Sequence, residues 1–161
     1  KLGMKDVDYI LNLQGDEPNI DVEDIIKLNN LMISNKADIG TLATKIKNNA
    51  MLVNKNVVKV NLTEKLSNDN FPIAINFSRE NFSSKYENIY HHIGIYIYRV
   101  NVLEKFVNFT QTKNEIEHGL EQLRAIENNI KINVALANSS PIGIDTEEDY
   151  LALKKIMEYK S

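Results

Sequence analysis

The apolar positions of this chain fall into short runs parted by polar turns, and the period changes from one run to the next. Tyr9 to Leu13 reads as a short buried strand. The following "DVEDIIKLNNLMISNK" has apolar residues at Val22, Ile25, Leu28 and Met32 with Asp21 three before Asp24, which predicts a helix with an acidic start. "DIGTLATKI" and "NVVKVNL" are strand candidates, "TEKLSNDN" is a polar link, and "PIAINFSR" is a strand that closes at Arg79. "ENFSSKYENIY" has neither period and is expected to be a loop long enough to cover a site. "HIGIYIYRV" alternates, with Ile93, Ile95 and Ile97 set against His92, Gly94, Tyr96 and Tyr98, as in a strand with two different faces, the isoleucine face being core. "NVLEKFVNF" and the whole of "EIEHGLEQLRAIENN" are expected to be helical and "KINVALAN" a strand. "TEEDYLALKKIMEYK" closes the chain as a helix opened by Thr146, with Asp149 three later.

Strands and helices alternate at both ends of the chain around a strand-rich middle, so we expect an α/β sheet carrying a mixed insertion. Ligands of open α/β sheets sit beyond the carboxyl ends of strands, and Asp16 and Glu17 lie at such an end.

A chain of 161 residues with 43% hydrophobic side chains suffices for one core. Its 22 acids against 19 bases leave a net charge of −3, which argues against a nucleic-acid partner. Without cysteine it can form neither a disulfide nor a thiolate metal site, and no apolar stretch approaches the ~20 residues of a membrane span. A cytoplasmic protein without membrane insertion is the expectation. The first residue is Lys1 and the opening carries no targeting pattern, so we expect the later part of a longer chain.

In "NLQGDEP", Gly15 permits a sharp turn after the strand and Pro18 ends the ladder, which would project Asp16 at the sheet's edge. Asp145 in "GIDTEED" again follows a strand and precedes a helix. Two carboxylates from separate strand ends suit Mg²⁺, which fills its octahedron with water and phosphate oxygens. Equally, Asp16 reads as a turn former and Asp145 as part of a helix cap. His92 and Tyr96, four apart in an alternating strand, share a face and could reach one ligand, or could line a polar or solvent face. His91 points to the other face. Glu121 and Gln122 are adjacent in "LEQLR" and could border one pocket or a solvated helix surface. Arg79 could grip a carboxylate or phosphate with both guanidinium arms, or make a surface pair.

Six words in order, "NLQGDEP", "NVVKV", "FSR", "HIGIYIYR", "LEQLR" and "GIDTEED", resemble those of the 3-deoxy-manno-octulosonate (Kdo) cytidylyltransferases, from about Asp8 to the last helix. The resemblance implies a nucleotide-diphospho-sugar transferase-like mixed sheet flanked by helices. It implies that CTP and Kdo, an eight-carbon acidic sugar, give CMP-Kdo and pyrophosphate for lipopolysaccharide. It also implies Mg²⁺ on Asp16 and Asp145 as the catalytic pair, Gln14 near the nucleotide, and Arg79, His92, Tyr96, Glu121 and Gln122 lining the sugar site. A cytoplasmic homodimer follows in the same way, with residues 1–161 a single domain fragment whose insertion, about 57–100, carries the sugar site and the dimer surface. Family members also carry an upstream glycine loop that cradles the triphosphate, which these 161 residues do not contain. Two other readings stay open: a cytidylyltransferase for another acidic sugar such as a sialic acid, and a non-catalytic remnant that keeps dimerisation and sugar binding.

Overall fold

The computed structural model describes residues 7–14, 20–83 and 85–138, with helical positions at 147, 150, 151, 154 and 155. Asp16, Glu17 and Asp145 lie outside the described residues. In chain order the elements are β1 (Tyr9–Asn12), α1 (Val22–Asn35), β2 (Ile39–Thr44), α2 (Asn49–Val53), β3 (Lys59–Leu62), β4 (Ala74–Ser78), β5 (Ile89–Arg99), α3 (Val100–Phe106), α4 (Lys113–His118), α5 (Gln122–Glu127) and β6 (Ile132–Leu136).

One mixed sheet runs β4-β3-β5-β2-β6, and β1 also pairs with β5. β1, β2 and β3 are each antiparallel to β5, and β6 is parallel to β2. The carboxyl ends of β1, β2, β3 and β6 therefore point the same way. β2 takes one edge of β5 while β1 and β3 share the other, β1 beside Tyr96 to Arg99 and β3 beside Ile89 to His91. β1 thus ends at the middle of β5, in a notch opposite Ile93 to Ile95. Ile73, just before β4, bridges to Asn133 of β6, so the twisted sheet curls until its two flanks meet at one corner.

Both faces of the central strands β2, β3 and β5 are largely buried. On one, Leu28 and Met32 of α1 pack on Leu42, Ile93, Ile95 and Ile97. Gly40 makes that contact possible, since a Cβ there would stand 2.4 Å from Met32 Sδ. On the other, Phe106, Leu120 and Leu123 cover Val60, Phe77, Tyr90 and Tyr96. The second face of β5 is therefore neither polar nor solvated: its alternation separates an aliphatic core from an aromatic one.

Local chemistry sets the helix ends. Asp21 caps α1 by accepting from the Glu23 amide at 3.0 Å, and Lys36 ends it in the left-handed region. Asp24 turns inward instead, and both its oxygens accept from the Asn138 amide at 2.9 and 3.0 Å, fastening the start of α1 to the chain just past β6. The helix expected over "EIEHGLEQLRAIENN" is two helices. Gly119 at φ 61° ends α4, which lets Leu120 turn into the core before α5 begins. α2 escapes sequence reading because five residues carry no period; it forms where Asn48 accepts from the Met51 amide.

Candidate functional site

The centre of the site is an irregularity in β5. Opposite it, Thr41 pairs with Tyr96 while the next residue, Leu42, pairs with Ile93, so Gly94 and Ile95 bulge without partners on β2. Four residues of extended chain span roughly 13 Å. The bulge removes two of them from the register, and the His92 and Tyr96 rings come to 5.4 Å. Because two is an even number, the alternation of faces survives. Thr41, wholly buried, holds the irregular backbone: its Oγ1 lies 2.7 Å from the Ile95 carbonyl, 3.1 Å from that of Ile93 and 3.0 Å from His92 Nε2. Burial, with His91 adjacent, lowers the His92 pKa to about 3, so the ring is neutral at physiological pH. Nothing in the sequence period singled out Thr41, which reads as one more strand residue.

From His92 a row of rings runs in both directions. Phe77 of β4 meets His92 edge-on at 5.0 Å, Tyr98 stacks on Tyr96 at 5.7 Å, and Phe106 of α3 stacks on Tyr98 at 6.1 Å. The Arg124 guanidinium lies 4.8 Å above Phe106. Arg124 also grips the buried Glu115 with both arms, its Nε at 2.8 Å from Oε2. These hydrogen bonds hold the Glu115 carboxyl below its usual range and raise the Arg124 pKa. Glu115 further closes a capping box with Thr112 at the start of α4. The two short helices are thereby locked into one block over the aromatic face. The sequence period placed Glu115 in a helical stretch, but neither its capping box nor its pairing with Arg124 could be read there.

The remaining sequence candidates fall around this face. Glu121 immediately precedes α5 and is exposed, while Gln122 is half-buried. The Glu121 carboxylate faces Tyr98 closely enough to add to the effect of burial in pushing the Tyr98 phenol up, so that phenol stays a proton donor. Arg79 follows β4. Continuing the register by one residue sets Arg79 and His92 on either side of Val58, whose carbonyl accepts from the His92 amide at 2.9 Å. They are two strands apart on one face, roughly 10 Å. Arg79 is anchored rather than loose: its Nη1 donates to the Lys55 carbonyl at 3.3 Å, and its own carbonyl accepts from the buried Lys59, as does that of Asn54 at 2.8 Å. Gln14, exposed, stands two residues past Asn12, whose partner on β5 is Tyr96. The structure thus sets His92 against Tyr96 at the middle of β5, Gln14 two residues beyond the end of β1 beside Tyr96, Glu121 near Tyr98 toward the end of β5, Gln122 on α5 and Arg79 across β3. Asp16 and Asp145 lie outside the described residues, and among the described residues no cluster of three or more His, Asp or Glu could hold a metal ion.

A sequence model described as cytidylyltransferase matches residues 1–132. The chain belongs to the cytidylyltransferase family. Within that family it is 41% identical over 158 residues to a 3-deoxy-manno-octulosonate cytidylyltransferase of Thermodesulfovibrio yellowstonii, covering 96% of this chain and 62% of that protein. It is 39% identical to the one of Bartonella tribocorum, over 92% of this chain and 60% of that protein. The chain therefore spans about three-fifths of the length of these cytidylyltransferases. A solved CMP:2-keto-3-deoxy-manno-octonic acid synthetase in complex with CTP superposes with a TM-score of 0.84 at 26% identity, over 98% of this chain and 64% of that one. A UTP-bound UGPase from Acinetobacter baumannii, 8% identical, matches with a TM-score of 0.59 over 94% of this chain and 47% of its own, which extends the fold alone to other nucleotide-sugar enzymes. No described helix is long and apolar enough to cross a membrane.

Proposed function

We propose that this cytidylyltransferase carries a cytidylyl group from CTP to Kdo, releasing pyrophosphate and forming CMP-Kdo for lipopolysaccharide. The observation that carries this reading is the bulge in β5. It brings His92 and Tyr96 together beside the end of β1, in a chain 41% identical to a protein named for that reaction. His92, neutral and buried, and the Tyr96 hydroxyl hydrogen-bond the sugar; Arg79 takes its carboxylate; Glu121 and Gln122 border the same pocket; and Gln14 lies toward the nucleotide. The anomeric hydroxyl of Kdo attacks the α-phosphorus of CTP in line with departing pyrophosphate, and the side chains act mainly by fixing that alignment.

Asp16 and Asp145 are proposed to hold Mg²⁺. The strand directions support the pairing, because the chain leaves β1 four residues before Asp16 and β6 nine residues before Asp145, both from the same end of the sheet. A Mg²⁺ ion held there would neutralise charge on the triphosphate. The proposal extends to a single domain over residues 1–161 and to a homodimer in the cytoplasm, with the dimer surface in the insertion of about 57–100. β4 is the outermost strand on that side among the described residues and leaves Ile75 47% exposed, which suits such a contact.

Steady-state kinetics of the full-length protein bearing His92→Ala test this assignment. The Kdo KM is expected to rise about tenfold, the worth of one hydrogen bond to substrate, with the CTP KM within about twofold. A change confined to the CTP KM would remove the sugar site from this face.

A further inference from the structure

We infer that Thr41 is a positioning residue that fixes His92 as the Nε2–H tautomer, so that its Nδ1 accepts a hydrogen bond from a hydroxyl of the sugar and rejects a carboxylate.

The assignment follows from counting hydrogens. Thr41 Oγ1 carries one hydrogen and faces three groups: the carbonyls of Ile95 at 2.7 Å and Ile93 at 3.1 Å, and His92 Nε2 at 3.0 Å. Carbonyls only accept, so the hydroxyl hydrogen belongs between Oγ1 and these oxygens, the nearer being that of Ile95. His92 Nε2 must then bring its own hydrogen. If Thr41 donated to Nε2 instead, its oxygen lone pairs would face two carbonyl oxygens at hydrogen-bond distance inside a buried site, where such repulsion is least screened. The ring is neutral in this environment, so a proton on Nε2 leaves Nδ1 as the acceptor.

Two consequences meet in this one hydroxyl. It pins the carbonyls of the bulge that brings His92 to Tyr96, and it sets which partner His92 can take. A neutral ring with a bare Nδ1 offers nothing to an anion, which leaves the substrate carboxylate to a cation such as Arg79. This inference rests on the sugar assignment above for its ligand, but not for the tautomer.

Long-range nitrogen–proton correlation spectra of the full-length protein near neutral pH read the tautomer directly. The expected result is Nε2–H for His92 in the wild type and in Thr41→Ser, which keeps the hydroxyl. Thr41→Val is expected to move His92 toward the other tautomer and to raise the Kdo KM roughly tenfold, with the CTP KM held within about twofold. An Nδ1–H wild-type ring overturns the inference, whether or not Thr41→Val folds. So does a folded Thr41→Val protein with tautomer and Kdo KM both unchanged. A wild type with the Nε2–H ring but no Kdo-dependent turnover supports the Thr41 assignment and removes the proposed reaction instead.

Discussion

At the scale of single residues, polar side chains in this protein work by holding irregular backbone, and that is where sequence reading reaches least far. His92, Tyr96, Glu121 and Gln122 were visible as a pattern and as words of a family. Thr41, Lys59 and the inward roles of Asp24 and Glu115 were not, because each is buried and acts on an element other than its own: β5, the chain at Arg79, the exit of β6 and α5. Burial of His92 also has a consequence for stability. Its folded pKa of about 3 lies below the ordinary 6.5, so between these values the unfolded chain binds a proton that the native ring refuses. Stability contributed by the neutral ring is therefore complete above about pH 6.5 and is lost as pH falls, by up to about 5 kcal/mol when pH 3 is reached. His91, also lowered by burial and by Lys47 and Lys59, acts in the same direction. Urea midpoints between pH 7 and pH 4.5 are expected to fall, and less so in His92→Gln; an unchanged slope in that variant would mean that His92 titrates normally.

At the scale of elements, most strands and the first helix were legible because their apolar periods are intact. The expectation of one long helix over residues 115–129 was not met. Its apolar spacing continues across Gly119, but the left-handed backbone there breaks the helix and a polar pair reconnects the halves. Glu115→Ala would leave Arg124 buried without that partner, a loss of about 3 kcal/mol seen as a lower melting temperature. Retained stability would show that α4 and α5 are held by apolar packing alone. Gly40→Ala tests the other face. The added methyl requires Met32 Sδ to move within a closed core, and a cost of about 1–3 kcal/mol is expected in chemical denaturation. Full tolerance would mean that α1 has slack against β2.

At the scale of the whole molecule, the sheet orients four strands with their carboxyl ends together and splits one edge of β5 between two of them. From sequence the α/β class could be read, and the family words supplied the candidate site, of which Asp16 and Asp145 lie outside the described residues. The bulge could not be read, since two residues were skipped without disturbing the alternation. Asp16→Asn is expected to abolish turnover at limiting Mg²⁺ while leaving the melting temperature of the metal-free protein within about 1 °C, because the amide keeps the size of the carboxyl and removes only its charge. Unchanged activity at limiting metal would remove Asp16 from the metal site. The most direct test of the whole account is pyrophosphate release by the full-length protein given CTP, Mg²⁺ and one acidic sugar at a time. Release with Kdo, and little with N-acetylneuraminate, is the expected result. Release with N-acetylneuraminate and not Kdo, or no release with either, would contradict it.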